Sequence, residues 1–254
     1  MISSDAHFTY LFDGLVWRME IDPVTATLFA EVRNEQEKQV SFASINLASG
    51  KLNFKNLVTD ERWLAGMEGA FNGVLLLHNY QSAGSPVHKG VIAIDSESGQ
   101  TLWSDYNSGF DHISINGPVM YDTRIQPPKL FVAAIRTGER LHTYNRVTDV
   151  EPALSISIPD IIDSALLPAD LSGRLTLFGN IAHNLYFNRY RIVSLHALNN
   201  TQLTQALYIF EDDKPVFNDL LNAGIQKLQP EAFILHNNHL IYLKNKTEIN
   251  VINL

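Results

Sequence analysis

The side chains of this 254-residue chain that could do chemistry are carboxylates, histidines and aromatics, because the absence of cysteine removes thiolate nucleophiles, disulfides and Cys-type metal sites. Acids recur in four connecting stretches: Asp60-Glu61 ahead of Trp63, Asp105 and Asp111 beside His112, Asp160 and Asp163, and Glu211-Asp212-Asp213. Two carboxylates flanking a glycosidic bond, one of them held protonated, suffice for hydrolysis. Spacing along the chain does not bring them together, and Asp in a connector serves turns and caps equally well. Cations at Arg33, Lys38, Lys89, Arg136, Arg189 and Lys244 fall in neighbouring loops, which gives a surface of mixed charge. Trp63, Tyr106 and Phe110 add aromatic platforms of the kind that hold sugars or protein anchors. The ligand-binding candidates are therefore Asp60, Glu61, Trp63, Asp111, His112, Arg136 and Asp163, and no residue is assigned a catalytic role.

Among the nine histidines, His236 and His239 flank an Asn237-Asn238 turn and do not have the i, i+4 spacing of a helical ligand pair. With no third ligand indicated, no metal site is expected there. His78 and His196 lie in strand-like stretches and read as hydrogen-bonded structural histidines. Trp17 and Trp103 read as packing residues, and Pro215–Lys227 has the apolar spacing of a short helix at Phe217, Leu220, Leu221 and Ile225.

The elements that must position these residues are repeated. Phe42-Ala-Ser-Ile45-Asn46-Leu-Ala-Ser-Gly50-Lys-Leu-Asn-Phe54 aligns with Val91-Ile-Ala-Ile94-Asp95-Ser-Glu-Ser-Gly99-Gln-Thr-Leu-Trp103. In each, an alternating strand ends in a polar residue, a turn closes on glycine, and an aromatic follows four positions later, which is a hairpin signature. Fainter copies give polar anchors at Asn46, Asp95, Asn145, His196 and Asn253, in steps of 49, 50, 51 and 57 residues. An apolar strand precedes each anchor: Leu28–Arg33, Val74–Asn79, Leu130–Arg136, Leu185–Arg189 and Leu240–Lys244. Each unit thus reads as four strands. The fifth lacks its last strand at Leu254, and the strand-like run Phe8–Met19 would supply it, with Gly14 and Trp17 standing near the positions of Gly99 and Trp103.

The stretch from Ala93-Ile94-Asp95 through Gly99 to Leu102-Trp103 resembles the hairpin of quinoprotein-like propellers built from pyrroloquinoline-quinone-type repeats, and the chain as a whole resembles a bacterial propeller family. The five repeats and the run that completes the last of them predict an all-β, five-bladed propeller with four-stranded antiparallel blades, closed by the N-terminal strand joining the C-terminal blade, and the resemblance agrees with that blade construction. A single domain over 1–254 is expected, with blades near 20–57, 64–106, 115–158, 173–210, and 231–254 plus 8–19. Quinone enzymes of that kind are exported, use calcium and often carry a vicinal disulfide. This cysteine-free chain is accordingly expected to bind no cofactor.

A net charge of -8 argues against nucleic acid or an anionic membrane as partner. The opening residues lack a basic segment followed by an apolar one, and no apolar run approaches the ~18 residues of a membrane span. The expectation is a cytoplasmic monomer acting as a non-catalytic module that binds a protein or small polar ligand on its loop face. The competing reading is a carbohydrate-active hydrolase with carboxylates converging at a central channel.

Overall fold

The computed structural model describes residues 7–167, 171, 175–230 and 232–254. Two compact units divide the chain: Phe12–Leu154, and a second made of residues up to Leu11 together with Ser155–Leu254. The class is all-β, with five antiparallel sheets of four or five strands, as the repeats imply. The first strand, β1 (His7–Leu11), belongs to the second unit.

Three sheets of four strands make up Phe12–Leu154. The first holds β2 (Leu15–Asp22), β3 (Thr27–Asn34), β4 (Gln39–Asn46) and β5 (Lys51–Leu57). The second holds β6 (Ala65–Phe71), β7 (Val74–Tyr80), β8 (His88–Asp95) and β9 (Thr101–Asp105). The third holds β10 (Ser108–Ser114), β11 (Gly117–Asp122), β12 (Leu130–Ala133) and β13 (Arg140–Thr143). Period-2 alternation explains why β7 and β8 are apolar almost throughout. Leu75, Leu77, Ile92 and Ile94 pack on Phe29, Val40 and Phe42 of the first sheet. Val74, Leu76, Val91 and Ala93 face the other way, onto Met120, Ala133 and Ile135 of the third. Both faces of the middle sheet are therefore buried.

The second unit holds two sheets. One runs β15 (Asp160–Asp163), β16 (Thr176–Phe187), β17 (Tyr190–Asn199), β18 (Gln202–Glu211) and β19 (Lys214–Ile225). The other runs β1, β22 (Glu248–Asn253), β21 (His239–Lys244), β20 (Phe233–His236) and β14 (Ile156–Ser157). Ile192, Leu207 and Ile209 of the former pack against Phe233, Leu240 and Ile252 of the latter. Chain ends meet here: His7–Leu11 pairs antiparallel with Glu248–Ile252, and the Thr9 hydroxyl donates to Asn250 Oδ1 at 2.7 Å.

Four expectations are corrected. The run Phe8–Met19 is not one strand, because the chain turns at Asp13-Gly14 and Leu15–Asp22 joins the first sheet. Gly14 adopts φ +150 there, and a Cβ would lie 2.7 Å from the Arg33 carbonyl oxygen. Trp17 consequently does not share the setting of Trp103; it is 66% exposed, whereas the Trp103 indole donates to the Ile135 carbonyl at 2.9 Å. In the third sheet, Leu130–Ala133 is the third strand and not the second, so the sheet spans 108–143 where 115–158 was expected. Its tight turn closes from Ala134 to Gly138, whose N–H bonds back at 2.8 Å just as Gly99 bonds to Asp95 at 3.0 Å. Asn145 instead opens a similar turn outside the sheet, ended by Asp149. Finally, Pro215–Lys227 forms no helix: β19 extends β18 edge to edge, and cross-strand packing overrides the helical spacing. The expected start of the fourth unit at 173 lies outside the described residues.

Candidate functional site

One irregularity recurs in the first strand of all three sheets of Phe12–Leu154. In β2, Val16 pairs with Val32 and Arg18 with Glu31, leaving Trp17 as an extra residue. In β6, Met67 pairs with Leu77 and Gly69 with Leu76, leaving Glu68. In β10, Phe110 pairs with Met120 and His112 with Val119, leaving Asp111. Each is a β-bulge, which unpairs one residue and re-aims its side chain.

The Glu68 bulge is the most elaborated. Glu68 Oε1 lies 2.7 Å from His88 Nδ1 and 3.2 Å from His78 Nδ1. The two imidazoles are stacked, with centroids 3.5 Å apart and planes 6° from parallel, and Tyr80 meets both edge-on at 4.7 and 5.3 Å. A second register shift, between Leu77 and Asn79, frees His78 from regular pairing with β8. His78 is 1% exposed, yet neither ring nitrogen makes a hydrogen bond among the described residues. The residue across from it in β6 has to be glycine: a Cβ on Gly66 would sit 2.9 Å from His78 Cε1 and Nε2.

Charged side chains of the first sheet hold the backbone that the bulge leaves unpaired. Arg18 donates to the carbonyls of Met67 at 2.5 Å and Glu68 at 3.3 Å. Buried Glu31 accepts the Met67 N–H at 3.1 Å and the Arg33 Nε–H at 2.7 Å, and Arg33 Nη2 donates to the Ala65 carbonyl at 3.1 Å. Arg33, so fixed, lies 5.4 Å from the Trp17 ring centre and 5.5 Å from that of Trp63, with Lys38 5.0 Å from Trp63 on its own account. Trp17, Arg33, Trp63 and Lys38 thus form a strip in which aromatic faces and cations alternate.

At the opposite ends of these strands lies a cavity of about 330 Å³ lined by Thr25, Thr27, Asn46, Asn53, Asp95 and Arg136, among others. Arg136 pairs with Asp95 at 2.9 Å. Partial burial pushes the Asp95 carboxyl up, but hydrogen bonds from the Ser98 and Glu97 N–H groups, the Ser98 hydroxyl and Arg136 hold it down at about 2. Most polar groups here serve the turns. Asn46 caps Ser49, and Asn53 donates to the Ser44 hydroxyl and the Ser96 carbonyl.

A family model described as a domain of unknown function (DUF4905) matches residues 21–103, which span β3 through most of β9. No curated protein matches the chain. Solved structures with a similar arrangement include BamB from Moraxella catarrhalis, at 9% identity and TM-score 0.34, covering 93% of this chain and 84% of that one. Hydrazine synthase from Kuenenia stuttgartiensis follows at 13% identity and TM-score 0.25, with 95% and 59% covered. An exo-β-1,3-galactanase from Phanerochaete chrysosporium shows 10% identity and TM-score 0.29, with 96% and 64% covered.

The residues singled out from sequence are dispersed among these features. Trp63 stands in the cation–aromatic strip. Asp60 is exposed, and Glu61 Oε1 accepts the N–H groups of Trp63 and Leu64 at 3.2 and 3.1 Å, a local turn cap. Asp111 is the bulge residue of β10 and pairs with its neighbour His112 at 2.6 Å. Arg136 lines the cavity at the other strand ends. Asp163, in the other unit, accepts the Ala165 N–H at 2.8 Å and caps the short turn Ser164–Leu166. Sequence reasoning missed Glu68 and His88 and took His78 for a hydrogen-bonded structural residue. His236 and His239 face each other across their hairpin, as a turn between them requires.

Proposed function

We propose that this chain is a non-catalytic binding module of the quinoprotein-like propeller kind, which grips a protein partner through the strip of Trp17, Arg33, Trp63 and Lys38. The exposure of Trp17, 66% for a large aromatic held over a fixed guanidinium, carries this reading. Trp and Arg are the residues that most often dominate binding energy at protein interfaces. Preorganisation adds to it: Arg33 is anchored by buried Glu31 and the Ala65 carbonyl, so little side-chain entropy remains to be lost on association. The hydrolase alternative finds less support. Among the described acids with shifted pKa values, Asp95, Asp122 and Asp149 are all held low, the reverse of what a proton-holding general acid needs.

Panning a displayed peptide library with the purified chain, and measuring each hit by calorimetry against a Trp17→Ala/Trp63→Ala double variant, tests the proposal. Loss of affinity by about thirtyfold or more, the scale of an interface hot spot, is expected. Hits that bind the double variant undiminished would overturn it, as would turnover of chromogenic glycosides by the unmodified chain.

A further inference from the structure

We propose that Glu68, His78 and His88 form a binding site for a divalent transition-metal ion of the zinc class. One carboxylate oxygen and two imidazole nitrogens lie within 4.8 Å of one another, on β6, β7 and β8 of a single sheet. Tetrahedral ligation with bonds of about 2.0 to 2.2 Å places donor atoms roughly 3.3 to 3.6 Å apart, and because an imidazole binds an ion close to its own plane, the half-exposed His88 has to swing out of its parallel stack on His78 to complete the geometry.

His78 is the deciding residue. A histidine 1% exposed with neither ring nitrogen hydrogen-bonded leaves polar atoms stranded in the interior, where such groups are nearly always satisfied. Its Nδ1 lies 3.2 Å from Glu68 Oε1 without the alignment of a hydrogen bond, and an ion would supply the missing partner. Glycine at position 66 keeps the space beside the ring clear, and Arg18 clamps the carbonyls of Met67 and Glu68, so the carboxylate leaves a rigid backbone. Two imidazoles with one carboxylate suit zinc-like ions and not calcium or magnesium, which prefer oxygen throughout. The His88 side chain is 38% exposed, which gives the ion a way in and leaves a fourth coordination position toward solvent.

The experiment is a zinc titration of the full, untagged, chelator-treated chain by calorimetry, repeated on Glu68→Gln and His88→Ala. Binding of one ion per chain, weakened at least about tenfold in both variants while their metal-free melting curves match the parent, supports the site. Zinc affinity equal in parent and both variants overturns it, because the ion would then sit elsewhere. Failure of the parent to bind zinc tighter than about 100 μM also overturns it. Should either variant fold poorly, histidine ring-nitrogen NMR of the parent decides. Zinc-dependent shifts of the His78 and His88 resonances support the proposal, and shifts confined to other histidines refute it.

Discussion

Asp22 offers the sharpest test of how the sheets of Phe12–Leu154 are held together. The side chain is fully buried, and its charge is met by five donors and by no cation among the described residues. Oδ1 accepts the N–H groups of Val24 at 2.9 Å, Thr25 at 3.4 Å and Asn72 at 3.0 Å. Oδ2 accepts the Thr25 hydroxyl and the Gly73 N–H, both at 2.6 Å. One carboxylate therefore closes the β2–β3 turn and fastens the β6–β7 turn of the next sheet to it.

In Asp22→Ala the donors of the exposed residues Val24, Thr25 and Asn72 rehydrate, whereas the Gly73 N–H loses its acceptor in the interior. At about 1 to 3 kcal/mol for the one stranded donor, the expected loss is about 2 kcal/mol. For a chain of this size that lowers Tm by roughly 4 to 8 °C. Asp22→Asn should fall between parent and Ala, because one rotated amide must still aim a donor at a donor. All three tryptophans, Trp17, Trp63 and Trp103, lie in this unit, so tryptophan fluorescence during thermal melting reports on it selectively. Because the effect comes from hydrogen bonding at contact distance, it should persist in 1 M salt, where the screening length is about 3 Å. A drop under about 2 °C would refute the reasoning, since the Gly73 N–H would then have another partner at negligible cost.

Two further outcomes follow from other parts of the structure. Gly138→Ala should destabilise by about 2 to 4 kcal/mol and perturb tryptophan emission, because φ is +72 and the new Cβ would press to 2.7 Å from Trp103 Cδ2. Gly84→Ala, with nothing within 4 Å, is the neutral control when both variants are unfolded in urea. The second outcome concerns acid. Burial holds His183, His196 and His236 below the usual histidine value, so the stability they contribute is complete above about pH 6.5 and declines as pH falls toward their folded values. In the other unit, the Asn145 N–H, Asn116 and His142 hold Asp149 down at about 2, so its contribution is lost only as pH falls from about 3.8 toward that value. Between about pH 6.5 and 3.8, amide exchange corrected for its intrinsic rate should therefore accelerate in β16–β18 and β20–β21 before the Asp149 turn loosens. Protection in those strands that stays constant over this interval would contradict the assignment.

The fold was legible where local chemistry and tertiary context agree. The hairpins Asn46–Gly50 and Asp95–Gly99 announce themselves because an Asx side chain caps its own turn, at Ser49 and Ser98, and a left-handed glycine ends it. In the third sheet the same backbone turn begins at Ala134, which has no side-chain cap to reveal it. Asn145 does have the cap, in a turn outside the sheet, and so attracted the alignment one strand too late. The regular steps of about 50 residues reinforced that error, since a pattern anchored on turn chemistry cannot tell which turn the sheet uses. β19 misled for a different reason. Strands with one exposed face and several bulges scatter their apolar residues, and three register shifts against β18 break the period-2 signal that would have identified it.

The candidate metal site was illegible for a related cause, and that cause bears on how the sheets carry function. Regular strand alternation assigns Glu68 and His78 to whichever face their neighbours dictate, and no spacing in Glu68, His78 and His88 suggests that they meet. They meet because β6 gains one residue at Glu68 and β7 shifts register at His78, so side chains from three strands turn to one point. The equivalent bulges present Trp17 to the surface and pair Asp111 with His112, so one irregularity in the blueprint of three sheets gives three different chemistries. Deleting the extra residue at 68 would restore an uninterrupted β6 ladder and remove the carboxylate. If bulges supply the chemistry while the ladders supply the stability, that deletion should abolish zinc binding, with the melting temperature no more than about 4 °C below that of the parent. A collapse of the whole unit would show instead that the Arg18 and Glu31 contacts to the bulged backbone are part of what holds the first two sheets together.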